Sequence, residues 1–389
     1  LQGDSVSVMY VTDRVPTKEL ADHWQYGYER SRSKSFGESV VRIGKEQSWD
    51  DIVSASRAAK RSRKLELTIA STNEQARFES TPPALLASAA HSAADRAQQS
   101  QVQIDAEKKF MDELSRRLAL TPRKDVFIFV HGFNDTFDYA VMTTAQLWHF
   151  LGREGVPLCY TWPAGEGLLK AYEYTLESTE FTLYHFKQTL RLIASHPEVQ
   201  KINILAHSRG TAVLTDAVRE MYLEARGQGE EHVKAMKFGN VVLAAADLEL
   251  DVVIQRDSTE RVSLAADRTA IYFSDHDKAL GLSSWLFGGF TRLGDVDFKL
   301  FSPDELEIIR SLNRVQLIKA KVKDMGDFNH AYFHTSPSVS SDIVLFLRYQ
   351  LLPGAEHGRP LQVADEGYWI VFDGYPGPTW TLPVSAEGR

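Results

Sequence analysis

Cysteine is almost missing from this chain: one residue in 389, Cys159, which rules out an internal disulfide and leaves the redox compartment open. Long apolar runs are missing too. No stretch approaches the length needed to span a bilayer, and the chain does not open on a signal-peptide pattern. It does begin at Leu1 without a methionine, as a protein exported after removal of a leader would. An excess of basic charge is also absent. A net charge of −8 argues against a nucleic-acid partner, because that binding is dominated by phosphate neutralisation. The cluster Lys60, Arg61, Arg63, Lys64 is short and reads as solvated surface. No internal repeat is visible. What remains is an ordinary globular composition, 43% hydrophobic, enough for one large domain with an appendage.

The chain divides into three stretches. Residues 1–121 read as an N-terminal extension, with strand candidates at Ser5 to Asp13, Val40 to Ile43 and Leu65 to Ala70. Pro82-Pro83 interrupts it, and the Ala-, Ser- and Gln-rich segment 84–105 is expected to form a peripheral or mobile helix rather than a membrane-contacting lid. Phe110, Met111, Leu114 and Leu118 recur at helical spacing and predict a helix with a core face. Residues 122–354 then alternate apolar β-branched runs (126–130, 158–162, 202–206, 241–245, 269–273, 315–320) with helical patterns (139–151, 182–195, 211–225, 341–352). Continuously apolar strands separated by helices predict a doubly wound, mostly parallel α/β sheet covered on both faces. Residues 355–389 form an aromatic-rich tail, expected to be a small hairpin folded over the domain.

In such sheets ligands bind beyond the carboxyl ends of the strands. One strand-to-helix turn falls there with a distinctive pattern, Ala206-His207-Ser208-Arg209-Gly210. It approximates G-x-S-x-G, the elbow that lifts a serine hydroxyl above an α/β-hydrolase sheet, with alanine in place of the first glycine. A serine needs a base, and the base needs a third group to orient it. The order nucleophile, acid, histidine puts the histidine between the last strand and the last helix, where His330 and His334 lie. His330, nearer the strand end and flanked by aromatics in FNHAYF, is the candidate base. For the acid, the loop SDHDKAL offers Asp275 and Asp277, and Asp247 follows the preceding strand. Chain order favours the later loop. Oxyanion donors are expected from the N–H groups of Arg209, after the nucleophile, and Phe133, in the loop Val130-His131-Gly132-Phe133-Asn134. Cys159, in VPLCYTW, reads as a buried inert thiol.

The stretches VFIFVHGFN, YTWPA, AHSRG, IYFSDHDKALGLSSWLFGGFTRLG and FNHAYF together resemble a family of bacterial α/β-hydrolases whose members are mostly described as esterases or lipases. The resemblance covers about residues 125–352, with a weaker echo in the early YVTDR and YGYERS. It implies an α/β-hydrolase fold with Asp277 as the acid and His330 as the histidine. The expected activity is cleavage of a small-molecule carboxylic ester through an acyl-enzyme, with no metal or organic cofactor. An amidase or thioesterase would use the same machinery, and a catalytically silent fold used as a binding module is the alternative from another class. Beyond Asp277, the apolar segment GLSSWLFGGF is broken by Gly288 and Gly289. That suits a flap whose Trp285 and Phe287 wall the substrate pocket.

Overall fold

The computed structural model describes residues 3–18, 23–44, 47–57, 66–82, 93–165, 167, 169–286, 289–297, 302, 307 and 314–383. Its centre is a single 11-stranded sheet. The parallel strands β4 (Asp125–Val130), β5 (Val156–Thr161), β6 (Lys201–His207), β7 (Phe238–Ala244), β8 (Arg268–Phe273) and β9 (Val315–Lys321) run in the order β9-β8-β7-β6-β4-β5. All six therefore end on one edge. β4 shows why the central strands read as unbroken apolar runs: Ile128 packs into the core on one face of the sheet, Phe127 and Phe129 into the core on the other. Truncating a fully buried residue such as Ile204 to alanine costs about 2 to 5 kcal/mol.

Helices cover both faces. Phe110, Leu114 and Leu118 of helix α1 (Ala93–Ala119) share one core with α2 (Leu169–Ser195) and α3 (Gly210–Gln228). The helix over residues 93–119 thus runs unbroken through part of the segment expected to be a lone peripheral helix; residues 84–92 lie outside the described residues. On the opposite face lie α4 (Phe137–Phe150), whose Thr136 hydroxyl accepts from Tyr139 N–H at its start, and α5 (Pro337–Leu347), capped by Ser336 with proline in the first turn.

The flanking stretches extend this sheet. β1 (Ser5–Lys18) pairs parallel with β5, and β2 (Gln25–Ile43) and β3 (Leu67–Arg77) follow antiparallel. β2 is far longer than the four residues expected at 40–43, because its outer half alternates glycine, serine and charge with little apolar signal. β1 loses regular register with β2 at Arg14 and Pro16, where the chain bends. At the other edge the tail does form a hairpin, β10 (Gln362–Val363) with β11 (Trp369–Phe372). β11 pairs parallel with β9 and prolongs the sheet, and the residues after it, Tyr375 among them, pack against α5. The tail is pinned by Arg359, wholly buried, whose Nε and terminal nitrogen meet the two Asp342 oxygens at 2.7 and 2.8 Å. Tyr272 and Tyr375 hydroxyls donate to the same carboxylate at 2.7 Å each.

Candidate active site

Ser208 stands where β6 gives way to α3. Its φ of 50° lies in the left-handed region, and Ala206 remains ordinary strand backbone, so the substitution of alanine for glycine meets no conformational penalty. The strain falls on the serine itself, as a sharp elbow requires. Ser208 N–H donates to Ala244 O at 2.9 Å, and Ser208 O receives Thr211 N–H and the Thr211 hydroxyl. Two glycines make room for this turn. A Cβ on Gly210 would sit 2.2 Å from His131 O, and one on Gly132 would sit 2.9 Å from Ser208 Cβ. The oxyanion-loop candidate therefore lies directly against the serine.

His330 follows two residues with positive φ, Phe328 and Asn329. Its Nδ1 lies 2.7 Å from Asp277 Oδ2, and the Asp277 side chain is fully buried. Asp277 Oδ1 accepts the N–H groups of Ala279 and Leu280 at 3.1 and 3.0 Å, capping helix α6 (Lys278–Leu286). A carboxylate committed to acceptance fixes Nδ1–H on His330 and leaves Nε2 with its lone pair, the form a general base requires. His207, next to the serine, lies with its ring 4.6 Å from that of His330 and donates from Nε2 to His330 O at 3.1 Å. Burial, then His330 and His334, hold His207 well below the usual histidine pKa, so it serves here as a neutral donor. Among the described residues Ser208 Oγ makes no hydrogen bond.

The other candidates are occupied elsewhere. His334 is held by the Tyr139 hydroxyl and Gln146, each at 3.1 Å. Asp275 pairs with Lys319 at 2.7 Å on the surface. Asp247 receives the Tyr172 hydroxyl at 2.6 Å and Ser283 at 3.1 Å, with Arg292 3.4 Å away. Among the described residues the N–H groups of Phe133 and Arg209 have no acceptor, and Arg209 NH1 is tied to Asp247 O. The Phe133 ring packs on Tyr172, 5.4 Å between centroids. Trp285 belongs to α6, but its side chain, like all of Phe287, lies outside the described residues. Cys159 is buried and free, its thiol pushed up to about 12 by burial.

Sequence reasoning missed several neighbours. Asp135 Oδ2 accepts Gly132 N–H at 2.8 Å, and burial raises its carboxyl to about 6 against the opposing pull of that N–H, His330 and Arg14. Its position in HGFND, five residues past the strand end, was the available signal. Arg14, from the YVTDR echo, reaches the same loop across the sheet. A second hydroxyl–imidazole–carboxylate array lies among β1, α2 and the end of the N-terminal sheet segment. Thr81 Oγ1 is 2.8 Å from His185 Nε2, and His185 Nδ1 is 3.0 Å from Asp13 Oδ2. Nothing in local sequence connects those three positions.

Among the described residues no group of three or more His, Cys, Asp or Glu side chains is placed to hold a metal ion, and no helix is long and apolar enough to cross a membrane. No curated protein matches the chain. A family model described as "Alpha/beta hydrolase of unknown function (DUF900)" matches residues 106–348, well over half of the sequence. That span includes the elbow, the Asp277 and His330 loops and the HGF loop, and the chain belongs to this α/β-hydrolase family.

Proposed function

We propose that this protein is a serine hydrolase that cleaves carboxylic esters through an acyl-enzyme. The observation that carries the reading is the His330–Asp277 pair at 2.7 Å, brought beside a strained Ser208 whose neighbours Phe133 and Arg209 offer unengaged N–H groups. In this reading Ser208 Oγ attacks the ester carbonyl carbon while His330 Nε2 takes the hydroxyl proton. The carbonyl oxygen gains negative charge and is met by the N–H groups of Phe133 and Arg209. Collapse of the tetrahedral intermediate expels the alcohol, which receives the proton from His330. Water, deprotonated by the same imidazole, then releases the carboxylic acid and restores the serine. Asp277 orients His330 and stabilises the imidazolium without taking the proton.

The test is a panel of p-nitrophenyl esters graded by chain length, beside matched thioester and amide substrates, with a fluorophosphonate probe. Ester turnover that exceeds the other classes and disappears when Ser208 is labelled supports the reading. A probe that leaves Ser208 unmodified, with no turnover of any class, would overturn it. Trp285 and Phe287 are proposed as an apolar wall for the acyl or alcohol group. Contacts of this kind are worth about 1 to 3 kcal/mol per methylene, so Trp285→Ala and Phe287→Ala are expected to shift the preferred chain length while acetate ester is still turned over.

A further inference from the structure

The HGF loop is held by a residue from the opposite end of the chain, outside the segment matched by the family model. Arg14 lies at the irregular register of β1 and is 2% exposed. Its guanidinium spends each nitrogen on a different segment. Nε donates to Thr161 Oγ1 at the end of β5 (3.0 Å), one terminal nitrogen to Gly27 O of β2 (2.9 Å), and the other to Asp135 O (2.7 Å) and His131 Nε2 (3.3 Å). Among the described residues it has no carboxylate within ion-pair distance. Burial lowers its pKa only to about 10, so a cation is kept inside the protein at neutral pH.

That arrangement determines which way one peptide faces. His131 Nε2 also accepts Trp162 N–H at 3.1 Å, and the imidazole stacks on the Trp162 ring at 5.4 Å and 7°. With two donors aimed at Nε2, the proton of the neutral ring must sit on Nδ1, which donates to Gly132 O at 2.9 Å. Burial and the charge of Arg14 hold His131 well below the usual histidine pKa, which keeps that tautomer neutral. In a trans peptide the carbonyl and the N–H point in opposite directions. A Gly132 carbonyl drawn to His131 therefore turns the N–H of Phe133 away from His131. Asp135 Oδ2 takes Gly132 N–H on the preceding peptide and closes the turn.

We propose that Arg14 is a positioning residue for oxyanion stabilisation: through His131 it sets the plane of the Gly132–Phe133 peptide and so presents the Phe133 N–H to the substrate oxygen. This rests on the hydrolase reading for its catalytic meaning, but the orientation of the peptide does not. Arg117 supplies the control. It is also a buried arginine bonded to β1, through Ser7 O and Ser7 Oγ, yet it pairs with Glu113 and Glu38 and makes no bond to the loop.

The experiment compares Arg14→Met, Arg117→Met and His131→Phe, the last keeping a ring to stack on Trp162 without the Nδ1 donor. Crystal structures report the Gly132–Phe133 peptide, thermal melts the stability, and ester kinetics with a trifluoromethyl ketone inhibitor the oxyanion site. Removing one oxyanion donor typically costs about 10²- to 10³-fold. Arg14→Met is expected to lose that much in kcat with little change in KM, and to weaken the ketone, which binds as an oxyanion, by the same factor. Arg117→Met should lose stability without that loss. His131→Phe should follow Arg14→Met, and decides the matter if Arg14→Met does not fold. A peptide that keeps its orientation in the folded variants, or a kcat within about threefold of wild type, overturns the proposal. An inert wild type whose peptide flips in the variants would refute the hydrolase reading and leave the positioning role standing.

Discussion

A hydroxyl, an imidazole and a carboxylate come together at Ser208 and again at Thr81. By hydrogen bonds alone, the more complete is the one at Thr81, His185 and Asp13, where both links are made. At Ser208, His330 and Asp277 only the imidazole–carboxylate link is closed. The difference lies in the backbone around each hydroxyl. Thr81 N–H already donates to Arg32 O at 2.8 Å, and the next residue, Pro82, has no N–H to offer. Thr81 Oγ1 also lies 3.0 Å from Arg32 O, which competes for its proton. Thr81 and Pro82 thus leave no backbone N–H free to receive the charge of a tetrahedral intermediate. Around Ser208 the helix start and the HGF loop leave the N–H groups of Arg209 and Phe133 without acceptors among the described residues. A relay of three side chains can thus be structural glue, and unspent backbone donors are what set the Ser208 array apart.

The sharpest way to break this comparison is to remove both hydroxyls. Ser208→Ala is expected to abolish ester turnover, by roughly 10⁶-fold if the nucleophile and base act as one unit, and His330→Ala should do the same without adding to it. Thr81→Val should leave kcat within a few fold. A fluorophosphonate that labels Thr81, or turnover surviving in Ser208→Ala, would reverse the assignment. Next in size is the acid. Asp277→Asn should cost about 10⁴-fold in kcat by fixing the wrong tautomer, whereas Asp275→Asn should be mild and Asp13→Asn should appear in melting temperature. Kinetics and thermal melts on the three variants give the ranking.

The donor argument is tested more finely by Gly132→Ala. The new methyl would press on Ser208 Cβ at 2.9 Å and displace the loop, so a drop in kcat of about 10²-fold is expected with the triad residues untouched. The smallest effect belongs to the other array. Lys34 Nζ is buried near Asp13 and over the Phe78 ring, with its pKa lowered to about 7 chiefly by burial. The unfolded chain keeps that proton up to about 10.5. Its contribution is therefore least favourable below pH 7, and improves as pH rises from about 7 to 10.5. Lys34→Met should raise the melting temperature more at pH 7 than at pH 10, and equal gains at both would discard the buried-charge account.

What the sequence disclosed follows from how each feature is encoded. β4 to β7 were legible because both faces are buried and each strand is close to one apolar run, whereas β9 alternates buried and half-buried positions. Asp277 and His330 could be proposed because chain order confines the candidates to the loops after β8 and β9, the family resemblance then favouring Asp277 over Asp275. The outer part of β2 was not, since Arg30, Ser31, Arg32 and Ser33 carry no periodic apolar signal and are held by pairing with β1 and by contacts such as Arg30 to Tyr174 O. Arg14 was illegible as a partner of the HGF loop, because its bonds to residues 131, 135 and 161 span more than a hundred positions. The hairpin in the tail was visible from its glycines and aromatics. Its place as an added sheet edge depended on register with β9, which no local pattern records.

The order in which the chain leaves the ribosome gives the Arg359–Asp342 pair a temporal meaning. α5 follows the His330 loop directly, and it carries Asp342 at a wholly buried position. The cation that answers this charge, and the Tyr375 hydroxyl that completes it, are synthesised after Ser208, Asp277 and His330. A nascent chain lacking residue 359 would have to seat α5 with a buried carboxylate answered by the Tyr272 hydroxyl and no cation, at a cost of several kcal/mol. Stable seating of α5 therefore waits on residue 359, 17 positions further along the chain.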